Sequence, residues 1–517
     1  MLLLPLRGWW LLLLVPLLFG TYTESKLGSF RLGIYPKVTD HPDQQWLWQR
    51  LDHFDKRHSE FWRQRFFVND RFYRPGGPVF LELGGEQSAV DSWTSSSSLL
   101  RYAKRMGAMY ILLEHRYYGK SHPTEDISTH NLRFLSSRQA LKDALYFRKF
   151  LTHKLRLFRN KWVVFGGSYA GSLAAWLREK HPRMFHSAVA YSAPIYAKAN
   201  FSEYLEVVQN ALFRHGHSEC VDAVRNASQV LMHMLKHKKY HSAISNDFRL
   251  CERLNIDSEV KMSYFLETLI TKISAIVQYN KKRPWDQDPN YNFEDEVTES
   301  DVSINYFCQV MTDKSLGTPY ERYARFFVKT LESPQHCLDA NYEGFIASVS
   351  RPEWDGEAAE GNFGDVNCLR VRKATREARV DLSGRACFSK EKKRIRYINP
   401  MRGQFQSSNY YIDQCEAIFD LGLDVYSVLE SVDETNKYYY TPLIKNGRRI
   451  LFVNGDIDPW HIVPTVKRCL KTKRMIQRIS KPHDILSSAP CSDGYLKGGT
   501  EMRGIDGIQR LASECIT

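Results

Sequence analysis

Long apolar runs are scarce in this chain of 517 residues. The run near the N-terminus, Trp9 to Phe19, is about half of the roughly 20 residues that a membrane-spanning helix needs. No later segment is long and apolar enough to cross a bilayer. The run follows one arginine and precedes small and polar residues, as in a secretory signal peptide. We therefore predict a cleaved signal peptide over residues 1–22 and no stable membrane anchor, with an uncleaved anchor as the alternative.

Cysteine is absent from the first 219 residues. All ten cysteines lie from Cys220 onward, and seven of them fall between Cys220 and Cys415. No CxxC pair and no Cys/His cluster has metal-ligand spacing, so we expect no metal and no other cofactor. Behind a signal peptide, an oxidising compartment favours disulfide bonds. The sequence leaves their connectivity open.

Acidic residues are in deficit. The chain has 58 Asp and Glu against 72 Lys and Arg, which gives a formal net charge of +14. The basic runs KHKKYH (236–241) and KEKKRIR (390–396) are short and far apart, and we interpret them as solvated faces. No nucleic-acid-binding module is recognisable, so we expect no nucleic-acid partner. Weak attraction to acidic surfaces stays open.

Two Asn-x-Ser sequons are present, at Asn200 and Asn226. Behind a signal peptide we predict that both are glycosylated. Together these signals predict the secretory pathway, and they leave the lysosome or endosome and the extracellular space open as destinations.

Internal repeats and long low-complexity tracts are also absent. Residues 62–200 instead alternate strand and helix patterns, with continuous apolar runs such as AMYILLEH (108–115) and HSAVAYSA (186–193). Such runs are expected of strands buried on both faces, and their alternation with helices indicates a mostly parallel sheet. The periodicity is mostly helical from about 200 to 431, and a strand pattern returns in RRILFVNGDIDPW (448–460).

One stretch carries a specific chemical signal, KWVVFGGSYAGSLAAWLREKHP, from Lys161 to Pro182. A strand runs through two glycines into Ser168 and straight on into a helix. A serine on so sharp a turn is held with its Oγ exposed at the carboxyl edge of the sheet, and bulky neighbours would clash. The backbone N–H of Tyr169 then lies where it can stabilise an oxyanion. The small residues around the serine are Gly166, Gly167, Ala170 and Gly171.

This nucleophile elbow predicts an α/β fold of the α/β-hydrolase type with a large helical cap insertion. The predicted organisation is a signal peptide at 1–22, an N-terminal part of the core at 23–199, the helical cap at 200–431 and a C-terminal part of the core at 432–517.

The elbow predicts partners in the chain order serine, acid, histidine. Asp458 follows the returning strand in a turn closed by proline, and Asp456 is the alternative; for both, a structural turn aspartate is the simpler explanation. Of the two histidines after Asp458, His461 shares the loop of the aspartate. His483 follows another strand-like segment, and we predict that it is the base.

Several stretches together resemble one family of serine peptidases. The family includes lysosomal Pro-X carboxypeptidase, dipeptidyl peptidase II and thymus-specific serine protease, and the last has the most similar forms of the serine and aspartate motifs. The stretches are WQRLDHF (48–54), FWRQRFFVNDRFY (61–73), GGPVFLELGGE (76–86), LEHRYYGKS (113–121), LRFLSSRQAL (132–141), FGGSYAGSLAAWLREKHP (165–182), SAPIYAKANFSEY (192–204) and ILFVNGDIDPWH (450–461).

The resemblance implies roles for individual residues. Ser168 corresponds to the nucleophile, Asp458 to the orienting acid and His483 to the general base, and Tyr169 corresponds to an oxyanion donor through its backbone. The family usually has a Leu-Asp pair shortly after the histidine, whereas here Asp484 follows His483 directly.

Residues near the elbow complete the predicted site. We expect the second oxyanion donor in the loop after PVFLEL, at Gly84 or Gly85. Glu86 has two interpretations, a ligand for the N-terminal amine of a substrate or a partner in a loop salt bridge. Trp460 is a further candidate for substrate binding.

The resulting hypothesis is a serine exopeptidase of the secretory pathway that acts on peptides through an acyl-enzyme. Relatives cleave after proline near a chain end, and the resemblance implies the same here. Two alternatives stay open, an esterase or lipase on the same fold and a catalytically inactive binding protein. A homodimer also stays open.

Overall fold

The computed structural model describes most of the chain between residues 44 and 462. The described residues are 44–89, 97, 99–198, 201, 203–280, 302–331, 337–354, 410–419, 424–455 and 457–462. The predicted signal peptide, Asn200, Asp456 and His483 lie outside them.

A mixed β-sheet forms the centre of the described structure. Its strands are β1 (Gln44–Arg50), β2 (Phe61–Asn69), β3 (Val79–Leu83), β4 (Met109–Leu113), β5 (Trp162–Gly167), β6 (Ser187–Tyr191) and β7 (Ile450–Val453). Their order across the sheet is β1-β2-β4-β3-β5-β6-β7. The pairs β1–β2 and β2–β4 are antiparallel, and all the other neighbours are parallel.

Helices connect and cover these strands. Those around the sheet are α1 (Leu99–Met106), α2 (Ser137–Lys154) and α3 (Ser168–Lys180). Between β6 and β7 follow α4 (Glu203–Leu235), α5 (His241–Asp247), α6 (Glu259–Gln278), α7 (Ile304–Thr312), α8 (Pro319–Lys329), α9 (Tyr342–Val349), α10 (Tyr410–Phe419), α11 (Val425–Thr435) and α12 (Thr441–Asn446).

The alternation of side chains along β3 to β7 separates two apolar layers. Leu81, Ile111 and Val164 face α2 and α3, whereas Phe80 and Val163 face α1. Because a strand exposes successive side chains to opposite faces, strands buried on both faces must be apolar throughout, as these nearly are. The α/β-hydrolase fold predicted from the sequence, with a large helical segment between β6 and β7, is confirmed.

The helices between β6 and β7 have a hydrophobic core of their own. Its fully buried side chains come from several of them and include Val208, Phe265, Phe307 and Phe327. A helical segment can keep an independent core when each helix turns one apolar stripe toward its neighbours. The exact boundaries at 23, 200 and 432 stay predictions.

Two disulfide bonds lie in this helical segment. Cys220 is bonded to Cys308, which joins α4 to α7, and Cys251 is bonded to Cys337. The structural role predicted for the cysteines is confirmed for these four. The predicted glycosylation site Asn226 is exposed on α4, and its modification stays a prediction.

No helix within the described ranges combines the length and the apolar character needed to cross a membrane.

Reduction should loosen the helical segment before the sheet. Each bond closes a loop of 86 to 88 residues, and a loop of that size contributes about 4.6 kcal/mol in the chain-entropy model. Hydrogen exchange read by mass spectrometry should show peptides from α4 to α8 losing protection in reductant while peptides from β3 to β6 keep theirs. The Cys220→Ala/Cys308→Ala variant should reproduce the change without reductant. Equal loss of protection across the chain would contradict the prediction.

Candidate active site

The turn between β5 and α3 holds Ser168 in an unusual conformation. Its φ is 54°, in the left-handed region that only glycine adopts readily, and its side chain is exposed. The turn closes so tightly that a Cβ on Gly166 would lie 2.2 Å from the carbonyl oxygen of Ala170. A Cβ on Gly171 would lie 2.9 Å from the Cβ of Ala193. Gly166 and Gly171 are therefore required by close contacts at the turn, as an elbow of this kind demands, whereas a Cβ on Gly167 would meet no atom within 4 Å.

Tyr169 fixes the first turn of α3 through its side chain. The side chain is buried, and its hydroxyl lies 3.2 Å from Nε2 of His115. The Nδ1 of His115 is 2.7 Å from the carbonyl oxygen of Arg116, so Nδ1 donates and Nε2 accepts from the tyrosine. Burial lowers the pKa of His115 to about 4, in keeping with this neutral form. The phenol thus anchors the backbone N–H that follows the serine.

The loop after β3 lies against the same turn. Gly84 donates its N–H to the carbonyl oxygen of Leu113 at 2.7 Å. A Cβ on Gly85 would lie 3.5 Å from the Cβ of Ala170, so the predicted oxyanion loop borders the first turn of α3. Glu86 is half-buried in this loop. Which of its two interpretations holds, amine ligand or salt-bridge partner, stays a prediction.

The strand register brings the predicted acid to the same edge. Gly167, Tyr191 and Val453 are paired across β5, β6 and β7. Because these strands are parallel, Ser168 and the loop of Asp458 leave the sheet at one edge, about 10 Å apart in strand spacing. Both the serine and the aspartate therefore lie at the carboxyl edge that the elbow motif predicts.

Asp458 is fully buried in the loop after β7. Its Oδ1 accepts the backbone N–H of Trp460 at 3.0 Å, which fixes the carboxylate in a tight turn. The indole of Trp460 packs on Phe201 and Tyr204 and donates to Oε1 of Gln278 at 3.2 Å. Trp460 therefore joins the acid loop to α4 and α6, and its predicted role in substrate binding stays a prediction.

Of the two candidate bases, the described residues include His461. His461 belongs to a short 3-10 helix, Pro459–Ile462, that begins beside Asp458. His483 and the alternative acid Asp456 lie outside the described residues. The assignments of base and acid stay predictions.

A buried polar network beneath the elbow was missed in the sequence. Arg116 is bonded to both carboxylate oxygens of Asp143, at 2.6 and 2.7 Å. It also donates to the carbonyl oxygens of Leu51 and Phe134. Arg116 and its three partners come from four different segments of the chain, so the guanidinium links the segment after β1 to α2. The signal was present as EHR, three polar residues directly after the apolar strand β4.

A second carboxyl, half-buried, lies in the sheet itself. Glu82 of β3 accepts a hydrogen bond from the hydroxyl of Tyr110 on β4. Burial raises the pKa of Glu82 to about 7. Its signal was a charged residue inside the apolar run PVFLEL.

In the portion of the chain that the structure describes, no group of three or more His, Cys, Asp or Glu side chains could hold a metal ion.

Comparisons with known proteins agree with the motifs. The family model described as Serine carboxypeptidase S28 matches residues 49–361 and 398–493. The Caenorhabditis elegans protein K12H4.7, assigned by its name to the serine proteases, is 35% identical over 418 residues, covering 80% of this chain and 77% of the relative. The human thymus-specific serine protease is 31% identical over 486 residues, covering 91% of this chain and 86% of the relative.

Two further matches are shorter. Lysosomal Pro-X carboxypeptidase of Mus musculus is 31% identical over 261 residues, covering 47% of this chain and 53% of the relative. The crystal structure of a proline iminopeptidase from Mycobacterium smegmatis is 16% identical, with a TM-score of 0.25, and covers 38% of this chain and 60% of its own.

Replacing Ser168 by glycine should stabilise the fold relative to alanine. A residue with a Cβ pays about 1–2 kcal/mol for the left-handed conformation that glycine adopts freely. Glycine also has more conformational entropy in the unfolded chain, which offsets part of this gain. We therefore expect the free energy of unfolding of Ser168→Gly to exceed that of Ser168→Ala by about 1 kcal/mol. Urea denaturation of both variants measures the difference. A glycine variant no more stable than the alanine variant would show that the turn is unstrained.

Glu82 should make the stability fall as pH rises. Its pKa is about 7 when folded, above the ordinary 4.5, so the folded protein keeps a proton that the unfolded chain releases. The resulting stabilisation is complete below about pH 4.5 and is lost as pH rises through 7. Glu82→Gln should therefore be more stable than the wild type at pH 8, by about 3 kcal/mol, and about equal to it at pH 4.

Tyr110→Phe is the matched control for this prediction, since it removes the hydrogen bond but leaves the carboxyl free to titrate. It should keep the loss of stability with rising pH. If Glu82→Gln and the wild type differ equally at both pH values, the carboxyl does not titrate in this range.

Proposed function

The chain belongs to the serine carboxypeptidase S28 family and is a serine-type peptidase, and from that premise we propose that Ser168 is its nucleophile in the removal of residues from a peptide end, after proline. The observation that carries this proposal is Ser168 itself, exposed, left-handed and at the junction of β5 and α3. A strained serine at such a junction is typical of a nucleophile held at the edge of the sheet.

The reaction follows from the proposed roles. His483 takes the proton of Ser168 while the Oγ attacks the peptide carbonyl, and a tetrahedral oxyanion forms. His483 then gives that proton to the leaving amine, and the C–N bond breaks to leave an acyl-enzyme. Water, deprotonated by His483, attacks the ester, and the serine regains its proton as the acid product leaves. Asp458 keeps the histidine oriented and stabilises its charged form.

The oxyanion has two proposed donors, the backbone N–H groups of Tyr169 and Gly85. The contact of Gly85 with Ala170 supports their proximity. Tyr169 is also in the first turn of α3, where the helix dipole adds partial positive charge. The bond from Tyr169 to the neutral His115 supports a rigid donor that needs no reorganisation during the reaction.

The preference for proline is carried over from relatives. Lysosomal Pro-X carboxypeptidase is named for a bond next to proline, and we propose the same class of substrate here. Which end of the peptide is attacked depends on Glu86, which would favour an N-terminal amine if it binds substrate. The names of lysosomal relatives, together with the predicted signal peptide and sequons, support a lysosomal or secreted protein.

Alanine substitutions should separate the triad from its neighbours. We expect Ser168→Ala to lower kcat by about five to six orders of magnitude, as for other serine peptidases, and His483→Ala to lower it similarly. Turnover is measured on a mixed peptide library read by mass spectrometry, and labelling by a fluorophosphonate reports the activated serine. Ser172→Ala is the matched control, because Ser172 is on the same helix but buried, with its Oγ bonded to the carbonyl oxygen of Pro194. It should keep turnover and labelling.

The alternatives have distinct outcomes. A chain that cleaves acyl esters but no peptide would be an esterase on this fold. Wild type that resists the fluorophosphonate would be an inactive binding protein. If His461→Ala is inactive and His483→Ala is active, the base is His461, in the loop of Asp458.

A further inference from the structure

The turn between α2 and β5 is exposed and strongly basic. Residues 154–161 read KLRLFRNK, and Lys154, Arg156, Arg159 and Lys161 are all exposed. Between Asp143 and Glu179 the chain has no acidic residue. An exposed segment with four cations and no nearby acid along the chain is a source of positive potential. We call residues 154–161 the basic turn.

Two apolar side chains of the basic turn face solvent. Leu157 is buried in the core at 2% exposure, but Leu155 is 39% exposed and Phe158 is 61% exposed. The ring of Phe158 rests edge-on against His153, with 5.2 Å between centroids. One of the three apolar residues of the turn is therefore buried in the core, and the other two are exposed at the surface between cations.

The backbone of the basic turn is fixed. Arg156 has a φ of 55°, and Leu157 donates its N–H to the carbonyl oxygen of Thr152 at 2.9 Å. With Leu157 inserted in the core, the turn holds Leu155 and Phe158 outward as part of the folded protein. The exposure of Phe158 is thus set by the geometry of the turn.

More cations lie next to this turn, at the amino ends of the parallel strands. His186 precedes β6, and its ring nitrogen Nδ1 is 3.1 Å from Nη1 of Arg449, which precedes β7. Arg178 donates from Nε to the carbonyl oxygen of His186 at 3.0 Å. The pKa of His186 is lowered to about 4, first by burial and then by Arg449, Lys161 and Arg178. The positive field therefore extends across three strands.

The position of this surface separates it from the candidate nucleophile. Lys161 precedes β5 and Ser168 follows it, which puts them about 20 Å apart along an extended strand. A partner on the amino edge of the sheet would leave the carboxyl edge, with Ser168, open to solvent.

We propose that the basic turn docks on an anionic lipid bilayer, with Phe158 and Leu155 inserted at the headgroup boundary and the surrounding cations on the lipid phosphates. In such a surface, exposed apolar side chains can enter the boundary of the acyl chains while neighbouring lysines and arginines bind the anionic headgroups. A soluble polyanion would satisfy the cations but would leave the two apolar side chains in water. Charge complementarity and the exposed apolar residues together therefore favour a bilayer as the occupant.

The test is co-sedimentation of the full chain with vesicles of phosphatidylcholine alone and with about one third phosphatidylserine. We expect binding only to the anionic vesicles, weakening as salt is raised. Arg156→Ser/Arg159→Ser should weaken it about 25-fold, since each cation near the surface contributes about fivefold. Phe158→Ser should weaken it about tenfold.

Matched variants on the helical segment control for charge and for apolar area. Lys238→Ser/Lys239→Ser removes two exposed cations, and Phe213→Ser removes an aromatic ring that is 55% exposed. Neither should change vesicle binding. Circular dichroism and peptidase turnover in solution should be unaltered in all four variants, because every substituted side chain is exposed.

Three results would overturn the proposal. They are no binding to anionic vesicles, equal weakening by the control variants, and binding that Phe158→Ser leaves intact. If the last occurs and heparin competes with the vesicles, the basic turn is instead a site for soluble polyanions.

Discussion

The left-handed backbone at Ser168 is the constraint on which the candidate site depends. The turn can close because Gly166 and Gly171 carry no side chain where it meets the carbonyl oxygen of Ala170 and the Cβ of Ala193. Once the turn is fixed, α3 must start at the serine and Tyr169 must enter the core. The loop after β3, the predicted oxyanion loop, packs beside Ala170. One local backbone conformation thus sets the positions of three parts of the site.

The register of the parallel strands extends this order to the acid. Because Gly167, Tyr191 and Val453 are paired in one row, the loops that follow them leave the sheet together. The turn at Asp458 is closed by its own bond to Trp460, whose ring packs on the helical segment. The acid loop is therefore held from both sides, by the sheet and by α4.

Features that depend on neighbouring residues could be predicted from the sequence, whereas contacts between distant residues could not. The buried strands and the elbow were visible in the sequence because each depends on neighbouring residues, such as the apolar run before Ser168. The pairing of Arg116 with Asp143 joins residues from different elements, and no periodicity reports such a contact. The pairing of Glu82 was hidden for the same reason, since its partner Tyr110 is on a neighbouring strand that is close only in the folded sheet. The disulfide partners were undetermined in the same way.

The place of β7 has a consequence for how the molecule folds. The neighbour of β6 on one side is β7, which lies about 260 residues further along the chain, after the whole helical segment. Until that strand has been synthesised, the apolar edge of β6 has unpaired backbone groups, which readily join the wrong strand. The pairing of β6 with β7 is therefore a nonlocal step, which is expected to be slow, and until it occurs the open edge of β6 favours aggregation. In a cell, that interval is when a chaperone would be needed.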